Sequence, residues 1–353
     1  METFGPHLLS RLRGRPDVRL LRCVLLAAVW IVAACAPTMV PPGPPAVAPA
    51  LAQDAFVAPD GMRLPLHAWP ANPKLRAVVV ALHGFNDYGN FINDAAEYWS
   101  KHGITTYAYD QRGFGDAPHR GLWPGVDAFT QDLAAAVSAI QARHPSVPVF
   151  ALGESMGGAV VMATMTGPSP PDVAGVILAA PAVWARSTMP FYQRWALWIG
   201  VHTFPATKLT GRGLNILPSD NIPMLRAMSR DPKVIKATRI DAIWGLANLM
   251  DAALEAAPEF RTPALILYGA KDEIITEKPM KAMLNRLPED AADRHVIIRY
   301  EQGYHMILRD LQAERVWRDI EQWIEARIAQ HAARDQHRID IQRPRSDVSL
   351  THD

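Results

Sequence analysis

Three residues far apart in the chain are of types that combine into one chemistry: Ser155, Asp272 and His305. A serine hydroxyl is a weak nucleophile until a base takes its proton and a third group orients that base. Ser155 stands in Gly153-Glu154-Ser155-Met156-Gly157, crowded by small residues, with Gly158 following. Glycine on both sides is what a serine needs when a very tight strand-to-helix turn pushes its hydroxyl outward, the nucleophile-elbow geometry. The same five-residue pattern also occurs in plain glycine-containing loops, so the flanking elements have to decide.

A tetrahedral oxyanion needs two backbone N–H donors. Met156, directly after the serine, is one candidate. Phe85, in "HGFNDYGN" where His83 and Gly84 allow a close turn, is the other. His83 itself reads as a brace for that loop. Asp272 and Glu273 both follow a strand in its loop; Asp272 is preferred as the orienting acid because it falls at the position this kind of fold uses for it. His305 lies in "EQGYHMIL", a glycine-containing loop after the last strand pattern.

These residues must be carried by rigid elements. The runs "AVVVAL" (77–82), "TTYAYD" (105–110), "PVFALG" (148–153), "AGVILAA" (174–180), "ALILYG" (264–269) and "HVIIRY" (295–300) are apolar on both faces. That is the pattern of strands in a covered parallel sheet. Helical periodicity fills the intervals, as in "FTQDLAAAVSAIQAR" (129–143), and a hairpin signal surrounds Asp60-Gly61 within 55–71. Alternation of this kind predicts a doubly wound, mostly parallel α/β sheet. Ser155 then lies two residues past a strand and just before the apolar helix "GGAVVMATM" (157–165), and open sheets of this class place their sites at such carboxyl ends.

Between the strands at 174–180 and 264–269 runs a long segment, read as a helical cap insertion at about 183–250. Phe191, Trp195 and Trp198 recur there at helical spacing and are candidates for an apolar acyl pocket. Packing on the domain would give the same spacing. Arg112 and Asp116 in "YDQRGFGDAP" read as loop-fixing groups. Gly113 and Gly115 suggest phosphate binding, but no following helix carries that fingerprint. Residues 331–353 are polar and aperiodic, and read as a frayed tail.

The 353 residues carry a formal net charge of +1, which offers nucleic acid no general attraction. Two cysteines, Cys23 and Cys35, exclude a disulfide framework and a cysteine-ligated metal; paired CxxC and HExxH spacings are absent, so no metal is expected. Upstream of 36 the chain reads as an address. Five arginines (11, 13, 15, 19, 22) precede the apolar run "CVLLAAVWIVAA" (23–34). That run is too short to span about 30 Å of hydrocarbon, but suits a secretory signal. It ends "VAAC", which looks like a bacterial lipobox with Cys35 lipidated and residues 1–35 as its signal. Ala36 after it suits sorting to the outer membrane. A second cut is open after Ala52 in "ALA-QD", giving a soluble periplasmic protein that starts at Gln53. Six prolines make 36–53 an extended spacer, tethering a domain of residues 54–330 to a membrane through the lipid.

Taken together, "HGFNDY", "YDQRGFGDAPHRG", "GESMGG", "YGAKDEII" and "GYHMIL", in that order, resemble the α/β-hydrolase superfamily. The likeness covers residues 55–328 and is nearest to the monoacylglycerol lipase and lysophospholipase branch, often grouped with serine aminopeptidase (S33-type) hydrolases. It implies the α/β-hydrolase fold and no cofactor. It also implies nucleophile Ser155, acid Asp272, base His305 and oxyanion amides at Phe85 and Met156. Where such proteins often have Gly-Glu-His, this chain has Asn86, Asp87 and Tyr88. The implied activity is hydrolysis of a small-molecule acyl ester or lipid through an acyl-enzyme. An amide or peptide hydrolase with the same triad is a rival, favoured if Glu154, Asp87 or Glu273 stands ready for a substrate ammonium. A non-catalytic binding module on the same fold is a second. Nothing in the sequence addresses oligomeric state.

Overall fold

A computed structural model describes residues 36–211 and 213–342 of the chain. The signal reading of 1–35, Cys35 included, and residues 343–353 lie outside the described residues.

The central sheet has nine strands among those residues: β1 (Ala50–Leu51), β2 (Ala55–Val57), β3 (Arg63–Trp69), β4 (Ala77–Leu82), β5 (Ile104–Tyr109), β6 (Val149–Glu154), β7 (Gly175–Ala179), and, after an inserted ribbon of β8 (Lys208–Leu209) and β9 (Thr238–Arg239), β10 (Ala264–Gly269) and β11 (His295–Tyr300). Their order is β1-β2-β3-β5-β4-β6-β7-β10-β11. β1 to β3 and the β3–β5 pair are antiparallel; every pair from β5 onward is parallel. Each of the six strand runs expected from the sequence is present, displaced by at most one residue at its ends.

The inner strands β4 to β7 and β10 are buried because each face carries its own layer, whereas β11, expected to be covered on both faces, lies at the sheet edge with Val296 and Ile297 exposed. On β4, Val78, Val80 and Leu82 enter one apolar cluster, and Ala77, Val79 and Ala81 enter the other. The period-two geometry of a strand dictates that split. The first cluster is closed by α2 (Val126–Arg143), α3 (Met156–Met165), α6 (Ile240–Ala256) and α7 (Glu277–Leu284). The second is closed by α1 (Asn93–Ser100) and the long α8 (Ala313–Gln342). α8 covers the sheet with Val316, Ile320, Trp323 and Ile324, one stripe at helical spacing.

Three expectations change. The insertion contains α4 (Phe191–Thr203) and α5 (Ile222–Arg230), but α6 packs on α3 as part of the main layer and runs past 250. The tail is helical to Gln342, since 331–342 hold neither glycine nor proline to stop the preceding helix. The proline-rich stretch is extended as expected, yet it is docked and not a free spacer. Its last residues form β1 at the sheet edge, with Ala50 opposite Val57 and Leu51 opposite Phe56.

Arg112 clamps α2 to the turn between β2 and β3. Its buried guanidinium donates to both carboxylate oxygens of Asp60 (2.7 and 3.0 Å) and both of Asp132 (2.6 and 2.8 Å). Removing one partner from such a buried set leaves uncompensated charge. Arg112→Met is expected to lower stability by about 3–5 kcal/mol, read from urea unfolding. A loss below about 1 kcal/mol would mean the two aspartates find other partners.

Candidate functional site

The β6–α3 turn holds Ser155 in a backbone conformation of φ +52° and ψ −114°, a region a non-glycine residue avoids. The surroundings enforce it. Ser155 N–H donates to Ala179 O (2.9 Å), and Ser155 O accepts from Ala182 N–H (2.9 Å) and Ala159 N–H (3.2 Å). Both flanking glycines are sterically required. A Cβ on Gly153 would sit 2.3 Å from the Gly157 carbonyl, and one on Gly157 would sit 2.2 Å from Leu82 O. The elbow therefore rides directly on the end of β4.

Ser155 Oγ lies 2.9 Å from His305 Nε2, and His305 Nδ1 lies 2.7 Å from Asp272 Oδ2. All three side chains are buried. A carboxylate only accepts, so Nδ1 carries the proton and Nε2 is left to accept from the serine hydroxyl. The other oxygen, Asp272 Oδ1, accepts from Ile274 and Ile275 N–H at 2.8 Å each, which fixes the carboxylate plane. Such an array can deprotonate a hydroxyl and later return the proton.

The 83–88 loop lies against the serine: a Cβ on Gly84 would be 3.4 Å from Ser155 Cβ. Phe85 and Met156, the candidate oxyanion donors, are the residues next along from these two. Phe85 also lines the cavity at Ser155. His83 is buried and braces the loop, its Nε2 accepting from Gln111 N–H (3.0 Å) and its Nδ1–H donating to Gly84 O (2.8 Å). Burial holds its pKa below the ordinary imidazole value.

A cavity of about 360 Å³ opens over Ser155 and His305. Its walls are apolar: Trp184 and Met189 ahead of α4, Leu197 within it, Met228 of α5, and Ile243, Leu246 and Met250 of α6. The aromatic stripe expected there is turned away. Phe191, Trp195 and Trp198 are 73%, 60% and 47% exposed, and none of them lines this cavity. Their helical spacing is real, but Leu197 and the buried Val201 lie about 120° round the helix and face inward instead. Trp195 and Trp198 border a separate outer groove with Arg186 and Trp244.

One charged residue at the cavity has no signal in the sequence beyond standing four places after His305. Arg309, its side chain 12% exposed, pairs with Asp87 of the 83–88 loop (2.8 Å) and with Glu154 beside the serine (2.7 Å). A single guanidinium thus ties together the segments bearing Ser155, His305 and Phe85. Burial pushes the Glu154 carboxyl above its ordinary value despite that partner. Glu273 is exposed, and its Oε2 accepts from Leu217 N–H. Arg112 does not line the cavity, and Asp116 pairs with Lys233 of the insertion at 2.6 Å. Among the described residues no group of three or more His, Cys, Asp or Glu is placed to hold a metal.

Residues 73–312 match the family described as "Serine aminopeptidase, S33". The monoacylglycerol lipase of Mycolicibacterium smegmatis is 24% identical over 284 residues, covering 77% of this chain and 96% of that one. Human monoglyceride lipase is 25% identical over 281 residues, covering 76% and 89%. Among solved structures, a monoacylglycerol lipase of Paleococcus ferrophilus superposes with TM-score 0.64 at 20% identity, covering 75% of this chain and all of that one. A soluble variant of the Saccharomyces cerevisiae monoglyceride lipase, in complex with a substrate analog, gives 0.65 at 20%, covering 82% and 99%. Both share the α/β-hydrolase fold.

Asp310 steadies the loop of His305: its Oδ2 accepts from Tyr304 N–H (2.8 Å) and its Oδ1 from the buried Ser219 hydroxyl (2.6 Å). Burial raises its pKa from 3.8 to about 6. Between those values the folded protein binds a proton that the unfolded chain has released, so this group's contribution falls as pH rises through the window and levels off above it. Relative to Asp310→Asn, the wild type is expected to gain about 2 kcal/mol on going from pH 7 to pH 4, by urea unfolding at each pH. A pH-independent difference would contradict it.

Proposed function

Because the chain belongs to the serine aminopeptidase S33 family of α/β-hydrolases, with monoacylglycerol lipases among its relatives, we propose that it cleaves carboxylic esters of acyl chains through a covalent acyl-enzyme on Ser155. One observation carries the reading: the Ser155–His305–Asp272 line, at 2.9 and 2.7 Å, ends at the floor of an apolar cavity.

His305 Nε2 takes the Ser155 proton as Oγ attacks the ester carbonyl, and Asp272 stabilises the imidazolium that forms. The amides of Phe85 and Met156 receive the negative oxygen. Collapse expels the alcohol, which takes the proton from Nε2. Water then attacks the acyl carbonyl while giving a proton to the same nitrogen, and collapse of the second tetrahedral intermediate returns that proton to Ser155 Oγ as the carboxylic acid leaves. The acyl chain lies among Met189, Leu197, Ile243 and Met250, where burial of each methylene contributes about 0.8 kcal/mol.

The amide-hydrolase rival needs a carboxylate free to hold an ammonium. Asp87 and Glu154 already face Arg309, and Glu273 bonds a backbone amide outside the cavity, which favours the ester reading. An intact triad likewise gives a non-catalytic module nothing to explain.

We propose further that Cys35 is lipidated and holds the enzyme at a bacterial envelope membrane, the outer one given Ala36; the rival is a soluble periplasmic form. Several acyl chains at about 0.8 kcal/mol per methylene would retain it firmly.

Ser155→Ala should lower ester turnover at least about a thousandfold and abolish fluorophosphonate labelling while the melting temperature holds. Residual activity above a few per cent would remove Ser155 from the role. Cys35→Ser should leave unprocessed precursor in the membrane fraction, seen by intact mass. Normal processing of that variant would sink the anchor.

A further inference from the structure

The proline-rich stretch runs along the body and is bonded to it repeatedly. Thr38 N–H donates to Asp241 Oδ2 (3.1 Å), Val40 N–H to Trp123 O (3.0 Å) and Gly43 N–H to Asp60 Oδ2 (3.2 Å). Ala46 and Val47 N–H both reach Pro59 O (2.7 and 3.0 Å), and β1 then joins the sheet. Prolines pre-set an extended path, so little chain entropy is lost in laying it down.

Two of these contacts bear on α6. At its first turn the buried Asp241 accepts from Arg239 Nε (2.9 Å) and Nη2 (2.5 Å) as well as from Thr38. The N–H groups of Ile240 and Asp241 donate to Thr207 O and Pro205 O, both at 3.0 Å. One carboxylate thus gathers the N-terminal stretch, the end of the inserted segment and the start of α6. Further along, the Trp123 ring occupies the space left by Gly245: a Cβ there would sit 2.4 Å from it. Glycine weakens a helix interior, so its presence marks a close approach. From α6, Ile243, Leu246, Ala247 and Met250 face the cavity.

We infer that residues 38–51 form a strap that positions α6, with Asp241 as the positioning residue, and so sets the acyl length the cavity accepts. The mature protein must then begin upstream of Thr38. The acyl-length part rests on the ester-hydrolase reading; the mechanical part does not.

The test uses the full-length gene product with Asp241→Asn, Thr38→Pro, which deletes the donating N–H, and Thr38→Ala, which keeps it. Hydrogen exchange should rise together over 38–47 and 240–250 in the first two variants, with β6 and α3 as protected as before. For a C12 p-nitrophenyl ester KM should rise about tenfold at nearly unchanged kcat, with a C4 ester altered less than twofold. Thr38→Ala, which loses only the longer contact from Arg239 Nη2 to its hydroxyl (3.3 Å), should change these readouts less than twofold, and the mature wild type should carry residue 38 by intact mass.

Two results overturn the strap: unchanged protection over 240–250, or a wild-type protein starting at Gln53. C4 and C12 esters losing activity in equal proportion would overturn its role in acyl length. A wild type that hydrolyses no ester, but whose variants expose both segments together, removes the ester reading and leaves the strap standing.

Discussion

The site hangs on a backbone constraint at one residue. Ser155 is held at φ +52° and ψ −114°, and such a conformation costs of order 1–3 kcal/mol unless its surroundings leave no alternative. Here the neighbours are β4, β6 and β7, fully buried strands at the middle of the sheet. Gly157 against the end of β4 lets α3 start immediately, and the Ala179 carbonyl of β7 takes the serine amide. The strain persists because fully buried strands and their hydrogen bonds surround it. The hydroxyl is aimed before any substrate arrives.

Around that point the chain deploys charge sparingly. Two guanidiniums, one buried and one largely enclosed, each hold two carboxylates. Arg112 binds Asp60 and Asp132 away from the cavity, whereas Arg309 binds Asp87 and Glu154 at its edge. Buried ion pairs are poor sources of stability, since desolvation cancels most of the attraction. Their effect here is positional. Arg309 ties the 83–88 loop, the elbow and the histidine loop to one another, and it occupies the carboxylates nearest the serine.

The cavity and the insertion divide polar from apolar work. Walls from α4, α5 and α6 supply methionine, leucine and isoleucine to the interior, while the aromatic face of α4 remains outside. Two layers meet at α6. It is packed on α3 like any helix of a doubly wound sheet, yet it lines the cavity and takes the N-terminal strap at its first turn.

Much of this was legible in the sequence because it is local. Strand runs apolar on both faces, glycines at 153 and 157, and the chain order of Ser155, Asp272 and His305 all follow from short-range rules about pleats, turns and loop ends. Those rules predicted the fold class and pointed to three side chains that folding brings within hydrogen-bond reach of one another. What they could not supply is direction and partnership across the chain. Helical spacing put Phe191, Trp195 and Trp198 on one face without saying which face points inward, since an amphipathic stripe looks the same against a cavity or against solvent. Arg309 is an ordinary charged residue until folding sets it between carboxylates over 150 positions away. The prolines of 36–53 read as a loose tether because proline excludes helix and ladder, but the intervening N–H groups had free acceptors waiting at Asp241, Trp123 and Pro59. Local conformational preference decided the elements; which distant groups could satisfy one another's charge and hydrogen bonds was settled only when the layers closed.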